Sequence, residues 1–181
     1  MALPFVLGLR VVIVYSKVRG VSARALERFA AQAQRAAGVR GAVDVLITSS
    51  AQMRRLNHSF RGKNAATDVL SFPFSHRGTE ARRNLFSESS VPLRLRGYAA
   101  AGDLAISSQI AARNARRLGH TTADEIKILI LHGLLHLAGH DHETDTGGMA
   151  RKEARLRRAL GLPAALIERT VSANGRLPRR A

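Results

Sequence analysis

Apolar and polar positions alternate along this chain in two different periods, and the switches between them mark out the elements. Arg10–Tyr15, RVVIVY, is β-branched and bounded by polar residues, which predicts a first strand. Ser22 is placed to cap a helix running to about Ala37, with Ala25, Leu26, Phe29, Ala30 and Ala33 on one face and Gly38 as its stop. Ala42–Thr48, AVDVLIT, predicts a second strand, and Ser49 or Ser50 then caps a short helix through about Asn57. The loop HSFRGKNAA follows, leading into a third strand over Thr67–Phe74.

Residues 75–97 carry turn formers and mixed charge with no sustained period, as expected of a mobile insertion rather than a domain boundary. Ala99–Ser107 predicts a fourth strand, and a helix is expected from about Ser108 to Leu118. Thr122 with Glu125 suggests a capping box for a helix, IKILILHGLLHLA, that is apolar on nearly every face and ends at Gly139. Such a helix belongs in a core. A further, strongly basic helix is expected over about Asp145–Leu160, and Pro163 can start one more short turn. This order of elements predicts an α+β fold, a small mixed four-stranded sheet packed with helices, in one domain over 1–165 with a partly disordered basic tail at 166–181.

The 181 residues contain no Cys, which excludes disulfides and thiolate ligands and leaves His as the main candidate for a transition-metal site. The apolar N-terminus has no basic residue before its run, is interrupted by Arg10 and lacks a small-residue cleavage site, so a buried strand is expected there rather than a signal peptide. Ile126–Ala138 is too short to span a bilayer, and a cytoplasmic protein with no membrane partner is expected. Net charge changes the picture most. At +16, carried mostly by Arg, the surface attracts polyanions, while an aromatic content of 4% argues against recognition through several stacked bases.

The chemistry concentrates in HGLLHLAGHDH, residues 132–142. His132, His136, Gly139 and His142 give HxxxHxxGxxH, the ligand spacing of a large class of zinc peptidases. On a helix, i and i+4 share a face with Cβ atoms roughly 6 Å apart, so His132 and His136 can offer nitrogens to one cation. Gly139 can turn the chain so that His142 returns as a third ligand, leaving an open fourth position. The plain alternative is a pair of core histidines satisfied by hydrogen bonds. His140 is expected at the surface or behind a ligand; Asp141 is a candidate imidazole acceptor, general base or mere turn residue.

Those peptidases carry Glu directly after the first His, where this chain has Gly133. Peptide hydrolysis depends on that carboxylate to take a proton from water and pass it to the amine leaving group. Phosphodiester cleavage depends more on positive charge at the phosphate, which this chain has in excess.

The block LHGLLHLAGHDHE, the block LNHSFRGKNAATDVLSFPF and GDLAIS between them resemble the bacterial YbeY family, metal-dependent endoribonucleases of ribosomal RNA maturation, over about residues 43–160. The resemblance implies one zinc ion on His132, His136 and His142, a functional Arg at Arg61, Thr67–Phe74 as the strand beside the cleft, Gly102 and Asp103 as a characteristic pair, and a zincin-like fold around the metal helix. His140 departs from it, since many members have Tyr there. Arg61 and His132 thus become the candidate catalytic residues, and Lys63, Arg54 and Arg55 candidate RNA contacts. Asp103 could cap the sheet or accept a hydrogen bond behind the metal, and Asn57 could cap a turn or line the site.

The expected substrate is a single-stranded segment of ribosomal RNA near the 16S 3′ end, with the ribosome or small-subunit proteins as further partners. Two other functions fit parts of the pattern. One is a non-catalytic ribosome assembly factor with a structural zinc, and the other is a peptidase that recruits its base elsewhere, such as Asp141.

Overall fold

A computed structural model describes residues 11–15, 18, 20–73, 100–140 and 146–163. The insertion expected at 75–97, the tail at 166–181 and both Asp141 and His142 lie outside the described residues. The elements are β1 (Val11–Tyr15), α1 (Ala23–Ala37), β2 (Ala42–Thr48), α2 (Ser50–Arg61), β3 (Val69–Pro73), β4 (Ala100–Ser107), α3 (Ser108–Leu118), α4 (Thr122–Leu137) and α5 (Gly148–Ala159).

The strands form one mixed sheet in the order β1-β2-β4-β3, parallel except for β3, which runs antiparallel to β4 at the edge. Alternation along the strands divides the core in two. Val43, Val45 and Ile47 of β2 join Leu104 and Ile106 of β4 in a large apolar cluster with residues of α1, α3, α4 and α5. Leu46, Leu70 and Ala105 point to the other face and meet Met53 and Leu56 of α2, with Phe60 and Phe72 packed beside them.

Helix α4 is apolar on most sides because it is surrounded. Ile126, Ile128, Leu129, Ile130, Leu131, Leu134 and Leu135 are all buried, each contributing roughly 1.5–3 kcal/mol relative to exposure. Two glycines let it settle closely on the β3–β4 edge. A Cβ on Gly102 would stand 2.5 Å from the Phe72 carbonyl oxygen and 2.6 Å from Leu137 Cδ2, and one on Gly133 would stand 2.7 Å from Leu104 Cδ2. Ser71 Oγ donates to the Gly133 carbonyl at 3.4 Å, fixing the helix to the strand.

Four boundaries differ from the sequence expectation. Helix α5 begins at Gly148 rather than near Asp145, after Gly147 turns left-handed at φ 86°. Helix α2 continues past Asn57 to Arg61, because Phe60 packs edge-on against Phe72, ring centroids 4.8 Å apart, and the chain turns left-handed only at Gly62. Helix α4 is capped by Thr121 rather than Thr122, with its Oγ1 accepting from the Asp124 amide at 3.1 Å. Partial burial raises the Asp124 pKa, but hydrogen bonds from Thr121 and Lys127 outweigh it and hold the carboxyl below its usual range. Glu125, expected in the cap, is instead fully buried against His120 Nε2 at 2.8 Å. The third strand starts at Val69, because Asp68 Oδ1 accepts from the Val69 amide at 2.9 Å and Thr67 Oγ1 at 3.2 Å, making a turn of those two residues.

Candidate active site

The last two turns of α4 bring His132 and His136 onto one face. Their Nε2 atoms are 3.2 Å apart and their rings are inclined at 76°. Neither is a core histidine. The His132 side chain remains 23% exposed, and His136 is also only partly buried.

On its far side the His132 ring is held by Glu153 of α5, Nδ1 to Oε2 at 2.9 Å. A carboxylate can only accept, so Nδ1 is the donor, and in the neutral ring Nε2 is the nitrogen with a lone pair, facing His136. Two imidazole nitrogens bonded to one tetrahedral zinc ion at about 2.0–2.1 Å would lie about 3.3 Å apart. The observed separation fits that geometry, so the two side chains suit a shared divalent ion. Among the described residues no group of three or more His, Asp or Glu forms a complete ligand set; His142 lies outside them.

Gly139 takes the left-handed conformation, φ 85°, and the amides of Gly139 and His140 close on the carbonyls of His136 and Leu135 at 2.9 and 3.0 Å. The chain therefore turns sharply one residue before His140, as the spacing predicts. His140 leads away from the pair: its Nε2 meets the Lys152 ammonium at 2.8 Å, and Lys152 also donates to the Ala37 carbonyl at 3.4 Å. This clip ties the end of α4 to α5 and α1.

The remaining candidates sit on the other face of the sheet or at its rim. Asp103 is buried on β4 in register with Asp44 and Phe72, and by strand alternation it points with Ala105 toward α2, away from α4. The acceptor behind His132 is therefore Glu153, where the sequence offered Asp103 and Asp141. Asn57 is also buried, and its Nδ2 donates to the Ala65 carbonyl at 2.7 Å, while its own carbonyl accepts from the Lys63 amide at 3.3 Å. It pins the loop that follows α2. Arg54, Arg55, Arg61 and Lys63 are all exposed on α2 or that loop, and Arg55 bonds to Gln52. None of the four bonds to His132 or His136 among the described residues.

Sequence reasoning missed Glu153. Its signal was present: Met149, Glu153 and Leu156 stand at i, i+4 and i+7, so one acid occupies the apolar stripe of an otherwise basic helix.

Comparison with known proteins identifies the family. The family model described as endoribonuclease YbeY matches residues 12–161. A Koribacter versatilis protein named endoribonuclease YbeY is 49% identical over 159 residues, 88% of this chain and 91% of the relative. One of the same name from Solibacter usitatus is 47% identical over 148 residues, 82% of this chain and 86% of the relative. A solution structure of a Thermotoga maritima protein shares the fold, with a TM-score of 0.51 at 22% identity, over 94% of this chain and 99% of the other. The family model and the relatives agree, and the chain belongs to the endoribonuclease YbeY family.

Proposed function

We propose that this chain is an endoribonuclease that cuts single-stranded segments of ribosomal RNA, including the region of the 16S 3′ end, with one divalent ion, zinc by preference, held by His132, His136 and His142. The observation that carries this reading is the convergence of two imidazole nitrogens at 3.2 Å with the outer nitrogen of His132 already committed to a carboxylate. An ion bound there would supply Lewis-acid charge at the scissile phosphate and acidify water. The placement of α4 beneath a small mixed sheet supports a zincin-like descent of the site.

The protein's own residues divide the remaining work. Glu153 holds His132 in one tautomer. The exposed cations Arg54, Arg55 and Lys63 attract the RNA backbone, whose affinity then falls with salt. Arg61, last in α2 and exposed, is free to place a forked guanidinium on a phosphate oxygen and stabilise the charge that develops there. Gly133 has no room for a carboxylate beside His132, which disfavours peptide hydrolysis.

We place the catalytic unit in residues 1–165 and the action in the cytoplasm, at or near the small ribosomal subunit. Among the described residues no helix is long and apolar enough to cross a membrane.

Arg61 supplies the test. Arg61→Ala should lower the single-turnover rate on a single-stranded ribosomal RNA fragment by about 10²–10³-fold, the usual loss when one donor to a developing oxyanion is removed. Zinc content should not change. An Arg61→Ala protein that cleaves at the wild-type rate would remove Arg61 from the site.

A further inference from the structure

The strongest unexplained feature is a buried ion pair behind His132. Glu153 and Arg157 are one turn apart on α5, with side chains 8% and 4% exposed and Oε1 to Nη1 at 3.6 Å. Glu153 Oε2 accepts a hydrogen bond from His132 Nδ1 at 2.9 Å. Arg157 in turn donates through Nε and Nη2 to the Pro163 carbonyl, at 3.0 and 2.6 Å. Burial draws the Arg157 guanidinium below its usual pKa, against the opposing pull of Glu153.

Two charges taken out of water at a helix contact cost more than an apolar pair of similar volume. Packing alone would be served by a Leu at 153, continuing the stripe of Met149 and Leu156. The arrangement is instead aimed: one carboxylate oxygen accepts from the imidazole, and the other, buried without a hydrogen bond, is paired by charge alone with the guanidinium 3.6 Å away. A carboxylate on the outer nitrogen of a ligand histidine fixes the ring plane and makes the inner nitrogen a better donor.

We infer that Glu153 is a positioning residue for the ion site, anchored by Arg157, so that α5 sets the metal affinity of a site whose two described ligands both lie on α4. This rests on the metal reading given under Proposed function and adds to it a residue that acts through His132.

The test titrates Zn²⁺ into the metal-free full chain against a chromophoric chelator, for wild type, Glu153→Gln, and Glu153→Gln combined with Arg157→Met. Gln keeps the shape and loses the charge, which leaves Arg157 buried without its partner and lowers thermal stability; the second change removes that stranded cation. Both variants should bind zinc about 10–100-fold more weakly than wild type, while the double variant regains the lost melting temperature. Affinity within about twofold of wild type in Glu153→Gln, or restored affinity in the double variant, would overturn the assignment by making Glu153 a packing residue. A wild-type chain that binds no zinc at all would instead overturn the metal reading itself.

Discussion

His136→Ala should yield a folded protein that neither holds a divalent ion at stoichiometric concentrations nor cleaves RNA. His136 is partly exposed at the end of α4, so its truncation should cost within about 1 kcal/mol of stability. The effect on the site is far larger. Loss of a residue that merely supports a ligand already weakens metal binding by about 10–100-fold, and His136 contributes one of the two facing nitrogens itself. Metal analysis of the dialysed protein and a cleavage assay on the same sample check both halves. A His136→Ala protein that retains one ion per chain would remove the pair from the ligand set.

Gly133→Glu, which restores the letter that zinc peptidases carry, should not produce a peptidase. It should destabilise the fold on the order of 4 kcal/mol or more, combining overpacking with a buried carboxylate. The Cβ alone would meet Leu104 Cδ2 at 2.7 Å, Leu104 Cδ1 at 3.1 Å and Ser71 Oγ at 3.2 Å. Leu104 is itself 1% exposed, so its methyls have no space into which to retreat. Glycine in mid-helix costs about 1 kcal/mol relative to Ala, and the contact with the sheet explains why it stands there. A melting temperature lower by about 10 °C or more, with no proteolysis of an unfolded substrate, is the expected result. A stable Gly133→Glu variant with chelator-sensitive peptidase activity would contradict it.

What was legible in the sequence follows the range of the interactions. Helix α1 starts and stops where Ser22 and Gly38 indicate, because both signals act within one turn: Ser22 Oγ accepts from the Ala25 amide and Gly38 adopts φ 81°. His132 and His136 were legible for the same reason, since a spacing of four on a helix fixes a shared face. Glu153 lies 21 residues from His132 and on another helix, and only the packing of α5 against α4 brings the two together. The end of α2 was misread because its last turn is held by Phe60 against a strand residue, Phe72, rather than by its own propensities. Thr121 and Thr122 are both competent caps. Thr121 takes the role, and Glu125 lies buried against His120 rather than at the helix end.

Asp103 shows the converse, a residue whose position was legible and whose direction was not. In GDLAIS it reads either as a cap of the sheet or as an acceptor behind the histidines, yet strand alternation turns it toward α2 while Gly102 and Leu104 face α4. Gly102, its neighbour, lets Leu137 and the Phe72 backbone close in at the end of α4.

The most direct measurement is cleavage of a ribosomal RNA fragment that carries a duplex and a single-stranded 3′ extension, by wild-type protein as purified, stripped by chelator, and stripped then restored with zinc. Cuts within the single-stranded extension should vanish on stripping and return with the ion. Equal cleavage in all three samples, or intact RNA in the presence of fully metallated protein, would contradict the proposed function; the second result would favour a ribosome assembly factor with a structural zinc.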